Sequence, residues 1–482
     1  MINVLRSSSF LIIQKFIQRA LGLVSTLVLA RLLTPEDFGL VAIAMLALWF
    51  VEAIVDAGTE SYIIQKKSVN ESELNSAWTL DLALKSIALA LLLIAAPIVA
   101  WFRDSIQLLW IISATGFIVI FGMLRNPGLM LLKRQQRYGP IVKITVLAKM
   151  VSIGFAVAIA FIFKNYWALI IGQIVFEILV TSLSYRITDY RPRIDISNIR
   201  EQWSFSKWLI PKSMLGYFRN HADTLVVSAF FQSAALGAYN NMKYFSSIPA
   251  LQIFGPLVEP LHVEMGKVSD NLEEFKYQAN LTMKVLTILV APTVAFMFVN
   301  ANELVAFFLG KQWTDYAYLF SFLSVSVLSF ILISQSFRIL MVSFNTKIIF
   351  LYELVSTVGI VILLLFASGY DLYVLVLVKV LAELIFAAAL YLYTYKKVFL
   401  CGGFINLCAL FLSSGVCSLS LVMLRDSIGF WDFNLVILSI NGFFSLLLII
   451  FLFSIYLKFG LSDRERALLM SLVGRFQFNI RK

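Results

Sequence analysis

The sequence predicts an all-α polytopic membrane protein of about fourteen transmembrane helices, in two six-helix bundles plus two C-terminal helices. Three observations predict it. Charged residues are 14% of the 482 residues and hydrophobic residues 60%, whereas a soluble globular chain carries roughly 25% charged residues. The apolar residues come in long runs, such as Ser86 to Ala100 and Leu435 to Leu457, and a run of roughly 20 residues matches the hydrocarbon thickness of a bilayer. The basic residues collect in alternate loops, as the cytoplasmic loops of a membrane protein do.

The apolar stretch that follows Met1 to Arg6 reaches Leu33 and contains Lys15 and Arg19. It is too long for a secretory signal and shows no small-residue cleavage site, so it reads as a retained first span. With the N-terminus in the cytoplasm, one side holds Lys66, Lys67, Lys133, Arg134, Arg137, Arg191, Arg193, Arg200, Lys396, Lys397 and the tail from Arg464 to Lys482. The other side holds little beyond Arg31, Arg103, Lys164, Lys311 and Arg425. With the other basic residues beside those loops the tally is about 22 against about 5, which places both termini in the cytoplasm of a multi-pass protein of the bacterial inner membrane. The net charge of +11 follows from this bias. Nucleic acid is therefore not an expected partner, while anionic membrane lipids are. The tail from Leu461 to Lys482 reads either as an amphipathic helix on that surface or as a solvated tail.

Composition also excludes functions. Two His and three Cys residues leave little for metal or nucleophile chemistry, and Cys401, Cys408 and Cys417 fall in or beside one apolar segment without CxxC spacing, so no metal, cofactor or disulfide is expected. No GxxxxGK[ST] phosphate loop is present, so any transport must draw on an H+ or Na+ gradient, a substrate gradient or a partner. The loops expected in the periplasm are a few residues long, too small to build the extramembrane site of a polymerase or glycosyltransferase. The chain reads as a transporter and not an enzyme.

Two matched stretches indicate an internal duplication. LVLARLLTPEDFG, ending at Gly39, resembles LVVSAFFQSAALG, ending at Gly237, and Ala96 to Trp101 resembles Ala291 to Phe296 in the same order and at nearly the same separation. An even number of spans per copy makes this a parallel repeat. The expected organisation is an N-terminal bundle over 1–187, a cytoplasmic linker over 188–207, a C-terminal bundle over 208–395, and two additional spans with a cytoplasmic tail over 396–482. Pro97 and Pro292 occupy matched positions, either as paired bending points or as residues near the outer ends of their helices.

Ionisable groups inside a span are costly and face a partner, a water-filled cavity or the interface. The first span carries Gln14, Lys15, Gln18 and Arg19, and positions 15, 18 and 19 share one helical face. The seventh carries Lys212, Arg219, Asn220, His221 and Asp223. A cavity lined by such groups suits a phosphate or pyrophosphate, with Arg125 and Arg338 contributing from the cytoplasmic ends of the fourth and tenth spans. The expected substrate-binding set is Lys15, Gln18, Arg19, Lys212, Arg219, Asn220, Arg125 and Arg338. Alternatively, Arg219 and Asp223, like Asp81 and Lys85, neutralise each other, and Lys143, Arg125 and Arg338 snorkel to headgroups. Glu52, Asp56, Glu177, Glu259, Glu353 and Glu383 lie in or near spans. Of the acids, Asp56, Asp223, Glu177 and Glu353 are the ion-coupling candidates. Salt-bridge service to the basic groups is the competing reading.

LARLLTPEDFGLVAIA, the DAGTESYIIQKK stretch at Asp56 to Lys67, and LVAFFLGKQWTDYA at Leu304 to Ala317 together resemble polysaccharide flippases of the Wzx type. The likeness is to the colanic-acid-like branch of the multidrug, oligosaccharidyl-lipid and polysaccharide exporter superfamily, and it covers nearly the whole chain. The resemblance implies two six-helix halves plus two helices working by alternating access. It implies an undecaprenyl-pyrophosphate-linked oligosaccharide moved from the cytoplasmic to the periplasmic leaflet for surface polysaccharide synthesis, beside a polysaccharide polymerase and chain-length machinery. Phe38, Gly39, Asp56, Gly58, Gln65, Gly310 and Trp313 match the family pattern and read mostly as structural, with Asp56 bonded to nearby backbone or to the Lys66 and Lys67 region. The alternative is an ion-coupled drug antiporter of the same superfamily, which the basic stripe on the first span argues against. Arg19→Ala is expected to abolish transport while leaving insertion intact.

Overall fold

The computed structural model describes residues 2–455 apart from 57, 269, 344, 400–402 and 429–433, and side chains over 17–451 apart from those and 260–264, 398–399 and 426–437. The side chains of Gln14 and Lys15, Cys401 and the whole tail from Leu461 lie outside the described residues. The described secondary structure is helical throughout: α1 (Ile2–Leu32), α2 (Pro35–Val55), α3 (Thr59–Gln65), α4 (Glu71–Phe102), α5 (Ile106–Met123), α6 (Gly128–Arg134), α7 (Tyr138–Phe163), α8 (Trp167–Ile187), α9 (Ile199–Ser206), α10 (Leu209–Phe230) and α11 (Ser233–Ile248). A π-helical segment (Pro249–Phe254) leads into α12 (Gly255–Lys267), followed by α13 (Leu272–Val299), α14 (Ala301–Phe308), a 3-10 turn (Lys311–Tyr316), α15 (Ala317–Val342), α16 (Thr346–Ala367), α17 (Leu372–Phe399), α18 (Gly403–Ile428) and α19 (Asn434–Ile455).

Ten of these helices among the described residues are long and apolar enough to cross a bilayer: α2, α4, α5, α7, α8, α13, α15 with its preceding turn, α16, α17 and α18. The chain is a multi-pass membrane protein. Large apolar side chains point outward where a soluble fold would bury them, as at Ile94, Ile98, Phe155, Ile362 and Phe366. Trp101 and Trp110 are exposed near helix ends, where amphipathic rings form an interfacial belt.

Contacts divide the chain into two compact units, residues 1–241 with 308–313, and 242–307 with 314–482. In the first, α7 packs along α8 and α1, α4 pairs with α5, and α2 is flanked by α4, α5 and α10. Local chemistry sets the turns. Thr34 and Asp37 form a capping box at the start of α2 with Pro35 in its first turn, where the missing proline N–H costs nothing. Asn70 and Glu73 do the same for α4. Between α2 and α3, Gly58 has φ +59, a left-handed value that glycine takes without a Cβ penalty.

Residues 188–207, expected as a linker, lie strapped along the first turns of α4. Asn75 Oδ1 accepts from Tyr190 Oη at 2.5 Å and from the Arg193 amide at 2.8 Å, and Thr79 Oγ1 accepts from the Asp195 amide at 3.0 Å. Gln202 donates to the Glu73 carbonyl at 2.8 Å. Lys66 ties α3 to both α4 and α9 through Glu73 at 2.8 Å and Glu201 at 2.9 Å.

In the second unit α13 is central, packing on α15, α18 and α19, while α17 packs on α15 and α16. Its core includes Met283, Leu286, Val290, Val327, Leu332 and Tyr391. Polar contacts fasten α18 and α19: Arg425 binds Glu303 at 2.7 Å and the Val299 carbonyl at 2.9 Å, and Asn441 meets Asn300 at 2.5 Å. Pro97 and Pro292 both lie inside their helices, within the last two turns or so of α4 and α13.

Candidate functional site

Within the first unit, α2, α3, α4, α6 and α10 enclose a cavity of about 580 Å³ at the end of the bundle that carries the strap. The spacing of its lining residues follows from helix periodicity. Trp49, Glu52, Ala53 and Asp56 recur on one face of α2, and Ser213, Gly216, Tyr217 and Asn220 on one face of α10, each set at the i, i+3, i+4, i+7 positions that share a helical stripe. Asp81 and Lys85 face in from α4, one turn apart.

Four carboxylates, Glu52, Asp56, Glu60 and Asp81, thus border one space together with Lys85 and His221. Asp81 is held by Lys85 at 2.8 Å, and Glu60 by Lys133 at 2.7 Å. Asp56 accepts from Ser213 Oγ at 2.9 Å and from the Gly58 amide at 3.3 Å, so it joins the end of α2 to α10 while its backbone partner shapes the glycine turn. Glu52 makes no hydrogen bond or ion pair among the described residues, and its charge is felt most by Lys85, Glu177, Arg125 and Asp56. The aromatic wall is ordered: His221 stacks on Trp49 with centroids 4.9 Å apart and against Tyr217 at 5.1 Å, and Tyr217 Oη donates to the Leu46 carbonyl at 3.0 Å.

The structure brings some of the predicted residues together. Of the expected substrate-binding set, Asn220 lines this cavity, and of the ion-coupling set Asp56 does. Arg125 and Glu177 form an ion pair with each other between the end of α5 and the middle of α8. Arg19, Lys212 and Arg219 are exposed and Gln18 is half-buried; none of the four borders this cavity. Asp223 is buried between α10 and α11, accepting from Tyr239 Oη at 2.5 Å and from the Thr224 amide at 2.8 Å. Arg338 and Glu353 are half-buried in the second unit. The Asp81–Lys85 pairing matches the expected neutralisation, and Asp56 bonds to local backbone as read from the sequence.

Glu60, Lys85, Trp49 and Tyr217 were not assigned to a site by sequence reasoning. The polar residues Lys212, Ser213, Arg219, Asn220, His221 and Asp223 crowded into α10 were the available sign for that helix. Nothing in the α2 or α4 sequences says which neighbour each charge faces.

At the strap itself, Asp195 is held below the usual carboxylate range by the hydroxyls of Ser197 and Ser72, and Glu201 by Lys66 and Tyr62. Lys66 is pushed up by Glu73, Tyr62 and Glu201, and burial pushes Tyr190 up to about 12.

The chain is a multi-pass helical bundle with an ionisable cavity in its first unit, and comparison with solved structures shows the same fold. The chain superposes on the lipid II flippase MurJ in its inward closed conformation with a TM-score of 0.72 at 16% identity, covering 92% of this chain and 98% of that one. A multidrug resistance MATE family transporter in its inward-facing conformation gives 0.56 at 13% identity, over 79% and 94%. Residues 28–318 match the family described as polysaccharide biosynthesis protein, and the chain belongs to that family. Among curated relatives, it is 23% identical over 305 residues to the lipopolysaccharide biosynthesis protein WzxC of Escherichia coli (strain K12), covering 61% of each chain. It is 22% identical over 314 residues to the succinoglycan biosynthesis transport protein ExoT of Rhizobium meliloti (strain 1021), covering 64% of this chain and 63% of that one. The matches thus span about three fifths of the length of these relatives.

Proposed function

We propose that this protein is a flippase that carries a polyprenyl-pyrophosphate-linked oligosaccharide, of the undecaprenyl type, between leaflets for surface polysaccharide synthesis. The observation that carries the reading is the first-unit cavity. It places carboxylates, a lysine, amide and hydroxyl groups, and a stacked Trp49–His221–Tyr217 wall around one space. Sugars are recognised by that chemistry: carboxylates and amides bond to hydroxyls, and aromatic faces cover the apolar side of a ring. Its volume of about 580 Å³ falls in the range of small-ligand sites. Lys85, His221 and the neighbouring Arg125 supply the cationic side for phosphate oxygens. Membership of a polysaccharide biosynthesis family and the carrier fold support the same reading.

In this reading the basic end of the bundle is cytoplasmic, both termini with it, and the membrane is the bacterial inner membrane. The helical rods α1, α10, α11 to α12 and α19 complete fourteen spans, and the two sequence copies begin near residues 1 and 208. The glycan enters the cavity from the cytoplasm while the lipid tail stays in the bilayer. Rocking of the helices then exposes the headgroup to the periplasm, where a polymerase with its chain-length machinery takes it. Glu52 is the carboxylate best placed to carry a coupling proton, since Asp81 and Glu60 are held by lysines and Asp56 by Ser213 and the Gly58 amide.

The carboxylate lining also fits a cationic drug exchanged for an ion, and one experiment separates the two. Purified protein is reconstituted with a labelled polyprenyl-pyrophosphate oligosaccharide, with a lipophilic cation in parallel vesicles. Protein-dependent arrival of the sugar on the far side supports the flippase. Uptake of the cation with no movement of the glycan replaces it with the antiporter.

A further inference from the structure

The α1–α2 and α10–α11 turns, which correspond in the duplicated sequence, are locked together by contacts that are exchanged one for one. Aligning the two glycine-ended stretches pairs Leu33, Pro35 and Gly39 with Phe231, Ser233 and Gly237 at one constant offset. A Cβ added at Gly39 would overlap the Ser233 carbonyl, and one added at Gly237 would overlap the Pro35 carbonyl. Each glycine therefore seats on the carbonyl that lies one helical turn before the other glycine, and only a residue without a side chain allows so close an approach.

The helix-end carbonyls repeat the exchange. The Leu33 carbonyl, just beyond α1, accepts from Gln312 Nε2 at 2.7 Å, and Gln312 comes from the turn that follows α13 and α14. The matching Phe231 carbonyl, just beyond α10, accepts from Arg103 Nη2 at 2.9 Å, and Arg103 comes from the turn that follows α4. α4 and α13 carry the second pair of matched stretches, Ala96 to Trp101 and Ala291 to Phe296. Each copy thus lends a side chain, from the connection that follows its own matched stretch, to the same carbonyl of the other, although Gln312 lies further along its copy than Arg103 because α14 intervenes. The first half of the clasp is heavier: the Ala30 carbonyl also takes Gln312 Nε2 at 2.6 Å and Trp313 Nε1 at 2.8 Å, and Phe38 meets the Trp313 ring edge-on at 5.4 Å.

The last carbonyls of a helix have no partner inside it, and near a membrane an unmet carbonyl is costly unless water reaches it. Contacts of this kind favour two arrangements, seated and hydrogen-bonded or parted and hydrated, because close-packed backbone does not deform by degrees. We propose that this reciprocal clasp is the gate at the end of the bundle opposite the cavity mouth, shut in the conformation described and parted when the cavity is exposed on that side. The inference rests on the carrier reading. It assigns Gly39, Gly237, Gln312 and Arg103 to setting the balance between the two states, with no contact to the glycan.

The test is thiol accessibility in lipid nanodiscs, which needs no transported substrate. In protein whose Cys401, Cys408 and Cys417 are replaced by Ser, Ser233→Cys reports on the clasp and Ser61→Cys, exposed on α3, reports on the opposite end. Gln312→Ala and Arg103→Ala should each speed maleimide labelling at 233 by roughly threefold to tenfold, the size of one lost hydrogen bond, with no change at 61. Gly39→Ala should exceed both; if it does not fold, the two donor variants decide. Unchanged labelling at 233, an effect from only one of the two donors, or equal acceleration at 233 and 61 overturns the reciprocal gate. Failure of glycan movement in vesicles, with the labelling pattern as predicted, would count against the substrate and leave the gate standing.

Discussion

The two ends of the first unit are built on opposite principles. At one end, Gly39, Gly237, Ala30, Leu33 and Phe231 are joined through backbone carbonyls and close helix approach. At the other, Glu52, Asp56, Glu60, Asp81, Lys85 and His221 surround an open cavity with charge. A clasp made of backbone seats is either shut or parted, whereas charged side chains at a cavity can exchange partners one at a time. In the proposed reading, the difference suits a carrier that seals one end completely and admits a polar headgroup at the other.

The comparison breaks first at Trp313. Its side chain is fully buried and its indole N–H caps α1, so Trp313→Ala should cost about 3 kcal/mol or more. That should appear as a large drop in the temperature at which the detergent-solubilised protein loses monodispersity. A cavity-end substitution of similar volume, Trp49→Ala, should cost clearly less, because Trp49 is 38% exposed. Equal losses at the two positions would erase the distinction between a packed end and an open one.

Charge at the cavity end gives the next effect. Lys85→Met removes the partner of Asp81 and should slow glycan movement roughly tenfold with the fold retained, since a charge among the spans needs its partner. Retention of full transport by a folded Lys85→Met would remove this lysine from the site.

The smallest expected effect is in the strap, outside the spans. Asp195 and Glu201 are held below their ordinary values of 3.8 and 4.5 by hydrogen bonds made to the charged form. Their contribution is therefore complete above those values and is lost as pH falls through the lower folded ones. Lys66 is raised from 10.5, so its contribution is complete below that value and is lost only as pH rises beyond it. Hydrogen exchange over 188–207, corrected for intrinsic rates, should quicken between about pH 5 and pH 3 and stay flat between about pH 7 and pH 9. Quickening on the alkaline side alone would reverse the assignment.

Sequence reading reached the helical membrane fold because a span long and apolar enough to match a bilayer is a property of a segment, visible in a single stretch of chain. It reached the clasp in part: the matched glycines at 39 and 237 marked the place, but the carbonyl seats depend on how two turns meet. The cavity was less legible. Asn220 and Asp56 were singled out, yet Glu52, Lys85 and Tyr217 gain their meaning from four helices facing one space, and hydropathy does not encode which face turns to which neighbour. Arg125 and Glu177 were placed in different roles because their pairing joins helices 52 residues apart. The strap was read as a linker since its polar composition is the same whether the groups bond to water or to the first turns of α4.

The most direct test is glycan movement in vesicles by the wild-type protein and by Glu52→Gln, under an imposed proton gradient and without one. The account predicts protein-dependent exposure of the labelled sugar on the far side, with Glu52→Gln slowing it several-fold and abolishing any response to the gradient. No movement by well-folded wild-type protein, or identical rates and gradient responses for the two proteins, would contradict it.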